Sequence, residues 1–214
     1  MSVVWAVPDH LLDNESGPLA FQTHSASTGE VSQWRDDMLS QPGVVVEFNA
    51  PPSPPPGLCA ATAAIAASLF DQDTRVWLSA SADCKAVRTY LRRHTQSLQV
   101  AEPMLADFAV IACLGERAPL GSFFCGTHAF RDRSTTLIVQ VDGIERDGPW
   151  RLTGPAFRGE TRLGVKGLGE KFLCEWALNA RLHPRGVDVL LACGARCCYL
   201  SRTTRIGISS ARTK

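Results

Sequence analysis

Two arginines and two threonines near the C-terminus are the residues of this sequence best suited to bind an anion. The run Arg202-Thr203-Thr204-Arg205 presents two guanidinium groups and two hydroxyls within four positions. A guanidinium is a planar fork that can donate two parallel hydrogen bonds to a phosphate or a carboxylate. We therefore take all four residues as candidate contacts to an anion or to an acidic partner.

A second group of basic residues follows the spacing of a helix. Arg88 and Arg92 are four positions apart, so that they are neighbours on one helix face, and Lys85 and Arg93 lie on the same predicted helix. Arg92 joins the candidate anion or partner contacts. For either basic group taken alone, a solvated or ion-paired surface is the simpler interpretation.

Cysteine and histidine residues offer two further chemistries, zinc ligation and nucleophilic catalysis. A tetrahedral zinc site would have to bring Cys125 and His128 against Cys193, Cys197 and Cys198. Adjacent residues of a strand point to opposite faces of the sheet, which argues against Cys197 and Cys198 sharing one ion. A cysteine nucleophile has no recognisable signature here. We expect that the chain holds no metal. We also expect that its thiols are reduced and that most of them pack as small apolar groups.

The glycine-rich stretch 164–171 invites a phosphate-loop interpretation but fits neither known spacing. A Walker A loop would place Gly-Lys where the sequence has Gly169-Glu170, and a dinucleotide loop would place a third glycine where Phe172 stands. A turn that leads into a helix is favoured. The sequence does not exclude that Lys166 or Lys171 binds a cofactor as a Schiff base, although we expect no cofactor.

Length and composition predict an ordinary globular protein. The chain has 214 residues, of which 45% are hydrophobic and 20% are charged, so it can bury a core without disulfides or a metal. We expect an irregular arm over residues 1–20 and a single α/β domain over residues 21–214. The chain has no apolar run of about 18 residues and no basic signal-peptide start, which predicts a cytoplasmic protein without a membrane contact.

The net charge of +1 argues against a general nucleic-acid binder, but it hides a gradient along the chain. The first 60 residues hold seven acidic side chains and one basic side chain, whereas the last 26 hold five basic side chains and no acidic one. This asymmetry predicts either a pairing within or between chains or an anionic ligand near the C-terminal segment.

Strands and helices alternate along the chain in the pattern of an α/β sandwich. The segment 25–40 predicts an amphipathic helix with Val31, Trp34 and Met38 on one side, ended by Pro42-Gly43. The other predicted helices cover 58–70 and 169–182, with one between them that is capped by Ser81 or Asp83 and runs to about His94. The predicted strands cover 44–48, 75–79, 108–113, 136–141 and 150–153, and a terminal hairpin joins 187–193 with 197–200.

Several segments, taken in their order, resemble one protein family. The run from Trp34 to Gly43 resembles its aromatic-Arg helix that ends in Pro-Gly, and the run from Asp71 to Leu78 resembles its next strand entry. Further matching segments follow at 93–95, 151–155, 183–188, 193–194 and 201–205. In this order the set is similar to the PhnH family of the bacterial carbon–phosphorus lyase system, from about Phe21 to Ile206.

The resemblance implies a three-layer α/β/α sandwich, like the large domain of pyridoxal-phosphate-dependent transferases but without the cofactor site. It implies a homodimer and assembly with the other subunits of the carbon–phosphorus lyase core complex. Together these subunits support transfer of a phosphonate onto the ribose of ATP, which releases adenine and leaves a ribose 1-phosphonate 5-triphosphate. Because the resemblance assigns no catalytic residue to this chain, we expect an accessory subunit. A stand-alone α/β enzyme with a Cys, Lys or zinc centre and a ligand-free scaffold remain the alternatives.

Overall fold

Parallel strands and the helices between them form the centre of the structure, a computed structural model that describes residues 40–47, 53–130, 133–157 and 159–209. This part of the chain is a mixed α/β fold with two β-sheets and three α-helices. The strands are β1 Val45–Glu47, β2 Arg75–Leu78, β3 Leu98–Gln99, β4 Phe108–Ile111, β5 Thr136–Gln140, β6 Gly143–Thr153, β7 Thr161–Lys166, β8 Asp188–Cys193, β9 Arg196–Leu200 and β10 Arg205–Ile208. The helices are α1 Ala60–Leu69, α2 Lys85–His94 and α3 Glu170–Arg181.

The larger sheet has seven strands in the order β1-β9-β8-β5-β4-β2-β3. Strands β3, β2, β4, β5 and β8 are parallel, whereas β9 pairs antiparallel with both β8 and the edge strand β1. Strand β8 has five consecutive buried residues, as expected of a strand that is covered on both faces. Because β9 is antiparallel to β8, the end of β9 returns to the edge of the sheet at which β8 begins.

Each face of the larger sheet packs against its own apolar core. Val110 and Leu190 point into the core formed with α1 and α2. Their neighbours Ile111 and Leu191 point to the opposite face, into the core formed with α3 and the smaller sheet. The alanine-rich helix α1 is buried around most of its circumference, as its uniformly apolar sequence predicts.

The smaller sheet is antiparallel, with the strand order β10-β6-β7, and it packs beside α3. The register of β6 against β7 shifts between Arg146 and Trp150, which marks a β-bulge. Gly148 lies inside this bulge, where a Cβ atom would stand 2.0 Å from the Cα of Gly164. The Trp150 ring stacks on Phe172 of α3 at a centroid distance of 6.0 Å, which fixes the helix against the sheet.

The sequence predicts the larger sheet better than the smaller one. The predicted strands over 75–79, 108–113 and 136–141, the three helices and the terminal hairpin are confirmed, each within a few residues. The predicted strand over 150–153 is only the end of β6, which has eleven residues. The turn predicted to begin at Gly164 begins later in the structure, because Gly164 lies within β7. Strands β3, β7 and β10 were not predicted.

Some predictions fall outside the described part of the chain. The irregular arm over residues 1–20 and nearly all of the predicted helix over 25–40 belong to the residues that the structure does not describe. Within the described residues, no helix is long and apolar enough to cross a membrane.

Replacing Gly148 by alanine should destabilise the protein, because the new methyl group would meet the backbone of β7 at less than van der Waals distance. We expect a loss of about 1–3 kcal/mol in the free energy of unfolding, measured by urea denaturation. Gly159→Ala is the matched control, since no atom lies within 4 Å of its Cβ position. Equal stabilities of the two variants would contradict the close approach of β6 and β7.

Candidate anion-binding site

The basic C-terminal run lines a surface pocket of about 430 Å³. One wall is the end of β6 with the turn that follows it, Thr153-Gly154-Pro155, and a second wall is the end of α3, with Ala180 and His183. The third wall is the turn between β9 and β10, which contributes Arg202 and Thr203 together with Arg205. The pocket therefore lies where three separate elements end.

The turn between β9 and β10 is closed by its own hydroxyl groups. The backbone N–H of Thr204 donates to the carbonyl oxygen of Ser201 at 2.8 Å. The Ser201 hydroxyl lies 2.9 Å from that of Thr203 and 3.1 Å from that of Thr204. The indole Nε1–H of Trp176 donates to the Thr204 carbonyl oxygen at 2.9 Å, which holds the turn against α3.

Arg202 forms a largely buried ion pair with Asp188, the first residue of β8. Its backbone N–H and its Nε–H donate to Asp188 Oδ1 at 2.6 and 3.2 Å, and its Nη2 donates to Asp188 Oδ2. The side chains are only 15% and 10% exposed. A buried pair of this kind requires both partners, because a single charge left without its partner in a low-dielectric site is costly. Asp188 thus holds the Arg202 guanidinium in a fixed orientation at the pocket.

Arg205 differs from Arg202 in both its exposure and its pairing. It lies at the start of β10 and is exposed, and its side chain forms no ion pair with any described residue. Thr203 beside it is half-buried. An exposed guanidinium next to a hydroxyl can donate several hydrogen bonds to one anionic group.

The structure brings together only part of the predicted contact set. Arg202, Thr203 and Arg205 line the same pocket, whereas Thr204 is fully buried behind it. Arg92 is exposed on α2, which packs on the opposite face of the larger sheet from α3, so it lies away from the other four. The spacing of Arg88 and Arg92 predicts a helix face correctly but carries no information on which face of the sheet the helix covers.

Sequence reasoning did not select several residues that line this pocket. Gly154 has a φ of +156°, and a Cβ atom there would lie 2.8 Å from the carbonyl oxygen of Thr203, so the two turns touch through their backbones. His183 is exposed at the rim. The segments 151–155 and 183–188 both carry the family resemblance, which was the signal that could have singled them out.

A second and smaller pocket, of about 270 Å³, lies at the carboxyl ends of β4, β5 and β8. Ligands of open α/β folds commonly bind at this edge of a sheet. Its lining residues include Cys59, Cys113 and Cys193, together with Gln140 and Asp142. The Gln140 side-chain amide accepts a hydrogen bond from the Cys59 N–H and donates to the carbonyl oxygens of Gly57 and Ala112, so it connects two of the loops around this pocket.

The residues of the zinc alternative are not brought together. Cys197 belongs to the core on the α1 and α2 face, and Cys198 belongs to the core on the α3 face. Cys125 lies near the start of β8, where its carbonyl oxygen accepts the Gly186 N–H at 2.8 Å, whereas Cys193 ends β8 at the other edge. Among the described residues, no three His, Cys, Asp or Glu side chains are grouped so that they could hold a metal ion.

The lysine alternative finds little support in the surroundings of Lys166. Its Nζ lies 2.5 Å from Glu145 Oε1, and both side chains are mostly exposed. This hydrogen bond and the charge of Glu145 raise the pKa of Lys166. A Schiff-base lysine must become neutral before it can attack a carbonyl group, so this pairing opposes that role.

The fold and the first pocket together define a mixed α/β protein with a surface pocket lined by two arginines, one paired with Asp188 and one exposed. The family model described as "Bacterial phosphonate metabolism protein (PhnH)" matches residues 35–207. The chain belongs to this family, as the order of its motifs predicts.

Two relatives show how far the similarity extends. The chain is 33% identical over 174 residues to "Alpha-D-ribose 1-methylphosphonate 5-triphosphate synthase subunit PhnH" of Rhizobium meliloti (strain 1021). The aligned region covers 79% of this chain and 85% of that protein. It is 31% identical over 118 residues to "Putative C-P lyase subunit protein HtxG" of Stutzerimonas stutzeri, which covers 54% of this chain and 55% of that protein.

Breaking the ion pair behind the pocket should destabilise the protein, whereas removing the exposed arginine should not. We expect Asp188→Asn to lower the free energy of unfolding by about 3–5 kcal/mol, because it leaves the Arg202 guanidinium buried without its counter-charge. For the exposed Arg205→Ala we expect a change within about 0.5 kcal/mol. Denaturant unfolding of both variants measures this difference, and equal losses would contradict it.

The environments of the cysteines predict which thiols react. Burial raises the pKa of Cys197 to about 12 and also raises the pKa of Cys198, whereas Cys113 and Cys174 are exposed in the described structure. The thiolate is the reactive form, so at pH 8 iodoacetamide should leave Cys197 and Cys198 unmodified in the folded chain. Peptide mass spectrometry reports each site separately. Labelling of Cys198 at the rate of Cys113 would contradict its placement in the core.

Proposed function

We propose that this chain is a subunit of the carbon–phosphorus lyase core complex, in which it supports formation of a ribose 1-phosphonate 5-triphosphate from ATP and a phosphonate. The observation that carries this proposal is the 33% identity to a protein named as a subunit of ribose 1-methylphosphonate 5-triphosphate synthase, over most of both chains. The family membership and a second relative named for a C-P lyase subunit agree with it.

Within this role, the first pocket is the contact to a phosphorylated ligand or to an acidic partner surface. Arg205 and Thr203 supply an exposed guanidinium and a hydroxyl, and Arg202 is oriented in the same pocket by Asp188. Both the phosphonate and the triphosphate are strongly anionic, and planar guanidinium groups match their oxygen atoms. The chain contributes binding and assembly, while its partners carry the chemistry.

The proposal extends to the layers of the fold, the oligomeric state and the location of the chain. The chain is a three-layer sandwich of the kind found in the large domain of pyridoxal-phosphate-dependent transferases, it forms a homodimer, and it acts in the cytoplasm. Support for the layers comes from the separate cores on the two faces of the larger sheet. One outer layer then consists of α1 and α2, and the other outer layer consists of α3 together with the smaller sheet.

Co-purification tests the subunit role directly. The tagged chain is isolated from cells grown on methylphosphonate as the sole phosphorus source, and the proteins bound to it are identified by mass spectrometry. We expect the other subunits of the lyase core complex in fixed ratios. Recovery of the chain without them, combined with catalytic turnover by the isolated chain, would instead support a stand-alone enzyme.

A charge reversal tests the pocket. We expect Arg205→Glu to slow growth on methylphosphonate by about tenfold or more, since it replaces an exposed cation of the pocket by an anion that repels phosphonate oxygens. Arg92→Glu is the matched control, because it makes the same change at an exposed arginine on the opposite face of the sheet. If both variants grow like the unmodified strain, the pocket has no role in phosphonate use.

A further inference from the structure

Two buried polar atoms without a hydrogen-bond partner lie at one edge of the larger sheet. They are Ser134 Oγ and Arg185 Nε, and in the part of the chain that the structure describes no other buried side-chain nitrogen or oxygen atom is left unpaired. Ser134 lies two residues before β5 and Arg185 lies three residues before β8, and the first residues of these strands, Thr136 and Asp188, are register partners. A buried donor without an acceptor is costly, so this edge of the sheet lacks hydrogen-bond acceptors.

The guanidinium group of Arg185 has no counter-charge among the described residues. It forms no ion pair and no side-chain hydrogen bond with any of them. Asp188, the acidic residue nearest to it in the sequence, accepts three hydrogen bonds from Arg202 instead. Arg185 is half-buried, and a cation that is partly removed from water is stabilised by an opposite charge nearby. Arg185 is therefore in a position to bind an anion.

The segment that carries Arg185 is fixed by hydrogen bonds to two other elements. The backbone N–H of Gly186 donates to the Cys125 carbonyl oxygen at 2.8 Å. The Val187 N–H donates to Asn179 Oδ1 at 2.8 Å, and the Val187 carbonyl oxygen accepts from Asn179 Nδ2 at 2.9 Å, which ties the segment to the end of α3. A donor on a segment that is held in this way loses little conformational entropy when it binds a ligand.

Cys125 lies close to both Arg185 and Arg202. Burial raises the pKa of the Cys125 thiol, whereas the positive charges of Arg185 and Arg202 act in the opposite direction. Both guanidinium groups are therefore within electrostatic range of one thiol. Arg202 lines the first pocket and Arg185 does not, so Arg185 is a further cation beyond the lining of that pocket.

We propose that Arg185 binds one phosphonate or phosphate group next to Cys125, at the edge of the larger sheet where β8 begins. A guanidinium group donates two parallel hydrogen bonds to two oxygen atoms of such a group. The ligand thus supplies both the acceptor and the counter-charge that Arg185 lacks. The inference of an anion site comes from the unpaired Nε and the missing counter-charge, and only the choice of a phosphorus oxyanion rests on the proposed function.

The Cys125 thiol is a natural reporter of this site. The full-length chain is labelled with iodoacetamide in chloride, inorganic phosphate or methylphosphonate at equal ionic strength, and peptide mass spectrometry gives the rates at Cys125 and at the exposed Cys113. An anion beside Cys125 disfavours its thiolate, so each phosphorus oxyanion should lower the Cys125 rate relative to the Cys113 rate by about fivefold or more. The oxyanion that acts at the lower concentration identifies the ligand as a phosphonate or a phosphate group.

Two arginine variants test whether Arg185 holds the anion. Arg185→Met removes the charge and the unpaired donor, so the oxyanions should no longer change the ratio of the two rates. Arg181→Met is the matched control, since it makes the same change at an exposed arginine in the last turn of α3, and it should keep the full oxyanion effect. Urea denaturation in chloride checks the fold of Arg185→Met, which we expect to be at least as stable as the unmodified chain because methionine leaves no buried donor unpaired.

Three results would overturn the proposal. The first is a Cys125 rate in the unmodified chain that neither oxyanion changes, and the second is an undiminished oxyanion effect in Arg185→Met. The third is loss of the effect in Arg205→Glu, which would assign it to the first pocket. We expect Arg205→Glu to keep the effect at Cys125 whatever it does to growth on methylphosphonate, so this site and the proposed role of the first pocket can fail independently.

Discussion

The ion pair between Asp188 and Arg202 is the interaction on which the candidate site depends. Asp188 begins β8, the strand that joins the parallel part of the larger sheet to its antiparallel edge, and Arg202 lies in the turn that carries the chain into the smaller sheet. The pair therefore connects the two sheets at one point. A buried pair stabilises a structure only when its geometry is good, and here the carboxylate accepts three hydrogen bonds from one residue.

The pocket follows from this connection. With the turn held by Asp188 from below and by Trp176 of α3 from the side, Thr203 and Arg205 are presented at its outer surface. The close contact of Gly154 with the same turn closes the opposite wall. The site lies at the edge where β8 begins, whereas the pocket that is lined by three cysteines lies at the edge where β8 ends. The two pockets are thus separated by the length of the central strands.

Local patterns predicted the parallel strands β2, β4, β5 and β8 and the helices beside them, because the strands are short continuous apolar runs and the helices have helical spacing of their apolar residues. They did not predict β7 and β10, whose sequences Thr-Arg-Leu-Gly-Val-Lys and Arg-Ile-Gly-Ile mix exposed, charged and glycine residues with few buried ones. Such strands are stable only when they are paired with β6, and pairing over a long distance leaves little local signal. The same limit explains why β6 was predicted over four residues although it has eleven.

By itself the sequence determined the family, through the order of motifs from Trp34 to Arg205, and it determined the opposite charges of the two chain ends. Only the tertiary structure decided what each candidate residue does. Arg202 and Arg205 are three positions apart and chemically identical, yet one is buried against Asp188 and the other is exposed. Thr204 is not part of the site because it is buried, and Arg92 is not part of it because its helix covers the opposite face of the larger sheet. The physical reason is that burial and partners depend on contacts between residues distant in the chain, which residue type and spacing do not encode.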